Sequence, residues 1–391
     1  MKKFISLVFF GSFLCLSATI VQRLIVNYNG NDIWQIDAQI SEDILGHVGM
    51  ASLYGNAVHE YTRANKNEIL IISTDQTTGH LFFAVTRENN NGKREAKWVG
   101  MIDGSHGPGT SKFESPGGVC ILPSADFAND HTLYVYVADE GNNRVVRLKF
   151  NTEKHDLTWN CQLTSYLSKP IDVSCSWVGA NPGVSVLAIA SSGNDRIVFY
   201  KIGSNGSTSY LTSYDASFSH PNSVVLRRKF DDNFYLFVGD CNNNRVRRTD
   251  LSLSGSTLSF YYTNVFQLNT LKGFYVSAIA GNEQVLFVHD IARNKIVAYD
   301  FSLAEKLYET SAHKPHYMSF HGGETALSED WTYSSGLKYY WLDSEFKEAG
   351  AIPNVFRVGQ QDVAVNYVIT GGGKVTIKVY TPSNPTTPVR T

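Results

Sequence analysis

The chain has 391 residues, 43% of them hydrophobic and 13% aromatic, enough for one large core or two average ones. Only 18% are charged and the formal net charge is −2, without the clustered Lys and Arg that a nucleic-acid surface needs. Its 31 glycines, 21 tyrosines and 22 phenylalanines suit short aromatic strands between tight turns.

Residues 1–18 predict a secretory signal peptide. Lys2 and Lys3 precede an apolar run from Ile5 to Leu16, and small residues follow at Ser17 and Ala18. The run is too short for a membrane span, and no later stretch approaches one. We therefore expect a secreted, periplasmic or cell-envelope protein with no membrane span after cleavage. Four cysteines remain, Cys120, Cys161, Cys175 and Cys241. Disulfides are allowed in such a compartment, three full pairings exist, and free buried thiols are the alternative. No CxxC spacing points to a zinc cluster.

A strand is predicted over 23–37. A run of hairpins follows at 68–85, 133–148, 185–202, 233–251 and 284–301, with a fainter one from Trp331. In each an apolar strand reaches Asp75, Asp139, Ser191, Asp240 or Asp290. Five residues on stand His80, Arg144, Arg196, Arg245 and Lys295. A second marker precedes the hairpins: Pro116, Pro170, Pro221, Gly273 and Pro315. Each is followed three residues later by Val119, Val173, Val224, Val276 or Met318. Both markers recur at roughly 50 residues, the period of a repeated four-stranded unit that must stack on copies of itself. The segment 363–382 reads as further strand, and it or 23–37 is expected to complete a terminal blade. Residues 382–391, rich in Pro and Thr, are expected to be disordered.

The stretch from Trp98 to Phe150 resembles an NHL repeat. The marks are Gly100, Gly107, Gly109, Phe113, Pro116 and Val119, then Ala138, Asp139, Asn142, Asn143 and Arg144. The resemblance covers about residues 40–345. It implies an all-β, six-bladed β-propeller of four-stranded antiparallel blades, here one domain over 19–381.

Because the Asp…Arg pair recurs around the repeat, Asp139, Arg144, Arg196, Asp240, Arg245 and Asp290 are expected to be structural. Asp organises the turn and Arg ties strands together. The residue after each Pro marker is placed near the channel mouth, which makes Asn222, Phe274 and His316 binding candidates, with His313 and His220 beside them. The fold also resembles that of the peptidylglycine α-amidating lyase family, in which Pro-His pairs in several blades hold zinc. Here only Pro315-His316 matches. No GxSxG, HExxH or phosphate loop occurs, and Gly371-Gly372-Gly373-Lys374 reads as a hairpin turn. The expected function is a non-catalytic, monomeric binding scaffold for a protein, glycan or small molecule, with no resident cofactor and no nucleic acid. The alternative is a lyase or hydrolase using zinc or calcium in the channel.

Overall fold

The computed structural model describes residues 20–27, 53–88, 94–102, 112–177, 184–230, 233–267, 278–281, 285–303, 306–311, 315–321, 324–331, 334–342, 346–352 and 364–369. The expected leader (1–18), the tail (382–391), Phe274 and His313 lie outside them.

Two compact units divide the chain. The larger comprises Arg23–Asn89 and Arg94–Tyr339. In chain order the first strands are β1 (Ile20–Asn27), β2 (Leu53–Arg63), β3 (Lys66–Asp75), β4 (Leu81–Glu88) and β5 (Arg94–Ile102). Next come β6 (Pro116–Pro123), β7 (Thr132–Asp139), β8 (Arg144–Asn151) and β9 (Asp156–Leu163). A third group is β10 (Pro170–Trp177), β11 (Ser185–Ser191), β12 (Arg196–Ile202) and β13 (Thr208–Tyr214). A fourth is β14 (Pro221–Phe230), β15 (Asn233–Asp240), β16 (Arg245–Ser254) and β17 (Thr257–Gln267). A fifth is β18 (Ala278–Gly281), β19 (Val285–Asp290), β20 (Lys295–Asp300) and β21 (Lys306–Ser311). The last strands are β22 (Pro315–His321), β23 (Glu324–Trp331) and β24 (Ser334–Leu342).

From β2 to β21 each group of four consecutive strands forms one four-stranded antiparallel sheet. β22, β23 and β24 form a further sheet whose outer place is taken by β1, so the N-terminal strand joins the last repeat. The first strands of the sheets neighbour one another in order, and β22 returns to β2. The protein is therefore a β-propeller of four-stranded antiparallel blades. The smaller unit holds a two-stranded sheet of β25 (Phe346–Ile352) and β26 (Ala364–Ile369). The described part of 363–382 thus pairs with β25 and not with a blade.

The repeated apolar runs form the middle strands because these are covered on both faces. Along β7, Leu133, Val135 and Val137 pack with the preceding sheet, while Tyr134, Tyr136 and Ala138 pack with the following one. Two further clusters fill the next two junctions, Ile171 to Leu258 and Val225 to Leu303. Along an outer strand, β9, half-buried and exposed positions alternate. One junction also carries charge. Glu68 on β3 is fully buried and accepts from Arg87 Nε at 2.8 Å, with His155 Nε2 3.0 Å from its other oxygen. Burial opposes its charge, but His155 and Arg87 outweigh it and hold the carboxyl down to about 2.

The Asp…Arg pairs close the central hairpins. Asp139 Oδ1 accepts from Glu114 N–H at 2.7 Å, and its Oδ2 accepts from Asn142 Nδ2 at 2.9 Å and Arg144 Nε at 2.7 Å. Asp240 repeats this with Ser219 N–H, Asn243 and Arg245. Asp290 accepts from Arg293 N–H within its own turn. Ser191 substitutes a hydroxyl that accepts from Ser168 N–H, and Arg196 Nε donates instead to the Asn194 carbonyl. Asn143, Asp195, Asn244 and Asn294 share one turn position and a φ of 46–54° or 55°, where short polar side chains are tolerated. Asp139→Ala is expected to cost about 2–3 kcal/mol in urea unfolding, because Arg144 stays buried without its carboxylate while keeping its bond to Gln162. A loss below about 1 kcal/mol would show that the pair is dispensable.

Candidate functional site

The first strand of each sheet bears the repeated Pro signal, and its geometry decides what reaches the channel. Register shifts follow Pro116, Pro170, Pro221 and Pro315 as the strands pair with their neighbours. Such bulges re-aim the side chains beyond them. The residue immediately before the Val or Met marker is Gly118, Asp172, Ser223 or Tyr317, and of these Gly118, Asp172 and Tyr317 meet one another.

Asp172 is the centre of this layer. Its Oδ1 accepts from Val173 N–H at 2.7 Å and from the Tyr317 hydroxyl, and its Oδ2 accepts from Val224 N–H at 2.8 Å. These donors come from β10, from β22 and from the neighbouring β14. Gly118 leaves the space, since a Cβ there would overlap Asp172 Oδ1. Both Asp172 and Tyr317 are buried. Burial pushes the Asp172 carboxyl up to about 7 against the pull of its three hydrogen bonds, and pushes the Tyr317 phenol well above its usual range. The same layer stitches other neighbours together. Ser223 Oγ accepts from Ile279 N–H at 2.8 Å, and Ser174 Oγ from Leu226 N–H at 3.0 Å. Asn56 Nδ2 donates to the Tyr317 carbonyl at 3.0 Å and its Oδ1 accepts from Ser319 Oγ at 2.6 Å, joining β2 to β22.

Beyond this layer, toward the far ends of the same strands, a cavity of about 850 Å³ opens. It is lined by the later residues of β2, β6, β10, β14, β18 and β22, and Tyr317 is part of its lining. Its polar groups include His59, Glu60, Ser176 and Arg228, and Trp177 supplies an aromatic face. Arg227 is anchored in the wall, its Nε donating to the Gly281 carbonyl at 3.0 Å. Among the described residues no group of three or more His, Cys, Asp or Glu is placed to hold a metal ion.

Of the expected site residues, the structure describes Asn222, His220 and the strand position of His316. Asn222 is buried at the start of β14, ahead of the cavity-lining stretch Val224, Val225, Arg227 and Arg228. His220 precedes Pro221 with φ +53° and donates its N–H to Asp195 Oδ1 at 2.7 Å. Ser115 and Lys169 hold the same left-handed conformation before their prolines, so His220 occupies a repeated turn position. His316 lies on β22 in the corresponding place, and Phe274 and His313 fall outside the described residues. Asp172, Tyr317 and the cavity wall were missed in the sequence. The available signal was the position just before the Val marker, where Gly, Asp, Ser, Tyr and Tyr follow one another at 118, 172, 223, 275 and 317.

No protein-family model matches the sequence, and no curated protein does. Among solved structures, the fucose-specific lectin of Aleuria aurantia superposes with a TM-score of 0.50 at 10% identity, over 83% of this chain and 99% of that one. A luciferin-regenerating enzyme gives 0.45 at 11% identity, over 82% and 95%. A chain of a nidogen/laminin complex gives 0.42 at 11% identity, over 67% and 85%. At these identities the lectin likeness speaks for the fold, a β-propeller, and for nothing finer.

Proposed function

We propose that this protein is a secreted, six-bladed, NHL-type propeller that acts as a non-catalytic binding scaffold and holds a small hydroxyl-rich ligand, of the saccharide class, in the channel cavity. The observation that carries the reading is the cavity. Its volume of about 850 Å³ lies within the range of small-molecule sites. Trp177 offers an apolar face to a sugar ring, while Ser176, His59, Glu60 and Arg228 offer hydroxyl partners around it. The blade number is supported by the six first strands that line the cavity, and the NHL assignment by the Asp–Asn–Arg turns at Asp139 and Asp240. Secretion is supported by the pattern of residues 1–18.

The test is a glycan array probed with the mature protein, followed by titration of any hit. Saturable binding is expected, weakened at least tenfold in Trp177→Ala and in Arg228→Ala with melting temperatures within a few degrees of the wild type. Absence of saturable binding, or turnover of the bound compound, would overturn the scaffold reading.

A further inference from the structure

Two of the four cysteines come together in the cavity wall. Cys120 lies on β6 and Cys175 on β10, the first strands of adjacent blades. Cys175 is one of the neighbours that act on the Cys120 thiol. Cys175 Sγ also reaches the carbonyl of Ile121, the residue after Cys120, at 3.5 Å. Both side chains are half-buried, both pack on the cluster that fills the junction between their blades, and both line the cavity. Neither Cys161 nor Cys241 lines it. All four are free cysteines in this structure. The spacing of 120 and 175 in the sequence does not single out this pair, because the two residues occupy nearly the same place in successive repeats.

We propose that Cys120 and Cys175 are an oxidisable pair whose disulfide joins two neighbouring blades through the cavity wall. A thiol–disulfide oxidant such as glutathione disulfide supplies the chemistry. One cysteine, as its thiolate, attacks a glutathione sulfur, forming a mixed disulfide and releasing one glutathione thiolate. The second cysteine, after losing its proton, displaces the remaining glutathione and closes the Cys120–Cys175 bond. Two cysteine thiols are oxidised, and one glutathione disulfide is reduced to two glutathione molecules that take up the two protons. The cavity gives the oxidant a route to both sulfurs. Burial and the Cys175 neighbour push the Cys120 thiol well above its usual range, which slows the exchange at neutral pH and leaves its rate dependent on pH. The bond would enclose all of β7, β8 and β9 in one covalent loop and restrain the unfolded chain accordingly.

The mature protein is equilibrated in oxidised and in reduced glutathione buffers, its remaining thiols are alkylated, and it is digested without reduction for mass spectrometry. The expected product in the oxidised sample is a peptide pair cross-linked through Cys120 and Cys175, with Cys161 and Cys241 alkylated. A rise in melting temperature of about 5–10 °C over the reduced sample should accompany it. Cys120→Ser and Cys175→Ser should each abolish both the cross-link and the rise. Alkylation of all four cysteines after oxidation, glutathione adducts without a cross-link, or a cross-link through Cys161 or Cys241 would overturn the proposal. So would a rise in melting temperature that persists in the serine variants.

Discussion

Replacing Asp172 by alanine is expected to lower the stability of the protein by about 4 kcal/mol at pH 5 and by about 1–2 kcal/mol at pH 8. The loss arises because the hydroxyl of Tyr317 and the N–H groups of Val173 and Val224 all end on this carboxyl. Without it three buried donors lose their acceptor. The pH dependence follows from the raised pKa. A carboxyl at about 7 in the folded protein and near 3.9 in the unfolded chain favours folding fully below the lower value. That contribution fades as pH rises toward 7, because a charge must then be kept in a buried site. Wild type therefore has more to lose at pH 5 than at pH 8. Urea unfolding of the two proteins at both pH values measures the difference directly and cancels the opposing contribution of Glu68, which both share. Equal losses at the two pH values would mean that Asp172 does not titrate in this range.

Gly117→Ala is expected to cost about 4 kcal/mol, for a different physical reason. A Cβ on Gly117 would overlap the carbonyl oxygen of Ile171, and one on Gly55 would overlap the carbonyl oxygen of Gly117. The Gly117 carbonyl also accepts from Thr74 Oγ1 at 2.8 Å. Along this part of the ring backbone faces backbone, so no flexible side chain can give way. The added methyl group has to move β6 away from β10, which loosens the apolar junction built on Val173 and Leu187. Gly255→Ala is the control. It lies at φ +63° with nothing within 4 Å of the added carbon, so only backbone strain of about 1 kcal/mol applies. If Gly117→Ala melts no lower than this control, the close approach of the three strands is wrong.

The repeat was readable in the sequence because it is written twice, in the hairpins and in the Pro–Val markers. Both recur wherever a strand must be covered on two faces or must begin beside the channel. Strands such as LYVYVAD cannot be mistaken once it is clear that Val135 and Tyr136 each face a neighbouring blade. The site was much less readable. The residue just after each proline, Asn222 or His316, is the one expected at the channel mouth, whereas the buried layer that the structure describes is centred one residue further on, where Tyr317 meets Asp172. The register shift after these prolines is a property of paired strands and has no local mark in one of them. Asp172 was passed over because a single carboxylate among Ile171, Val173 and Cys175 looks like a solvent-facing residue until Tyr317 and Val224 are brought to it. The pairing of Cys120 with Cys175 likewise depends on which blades adjoin.

The return of β22 to β2, and of β24 to β1, has a consequence for how the protein is made. Asn56 and Tyr317, whose hydrogen bond spans that seam, are 261 residues apart in the chain. During synthesis the first repeats emerge long before their final neighbour exists, and the face of β2 that will meet β22 stays wet until the last repeat is complete. Contacts of such long sequence separation form late, and partly assembled arcs expose apolar surface while they wait. The seam should therefore be the last part of the molecule to gain protection from hydrogen exchange during refolding, and the first to lose it in denaturant.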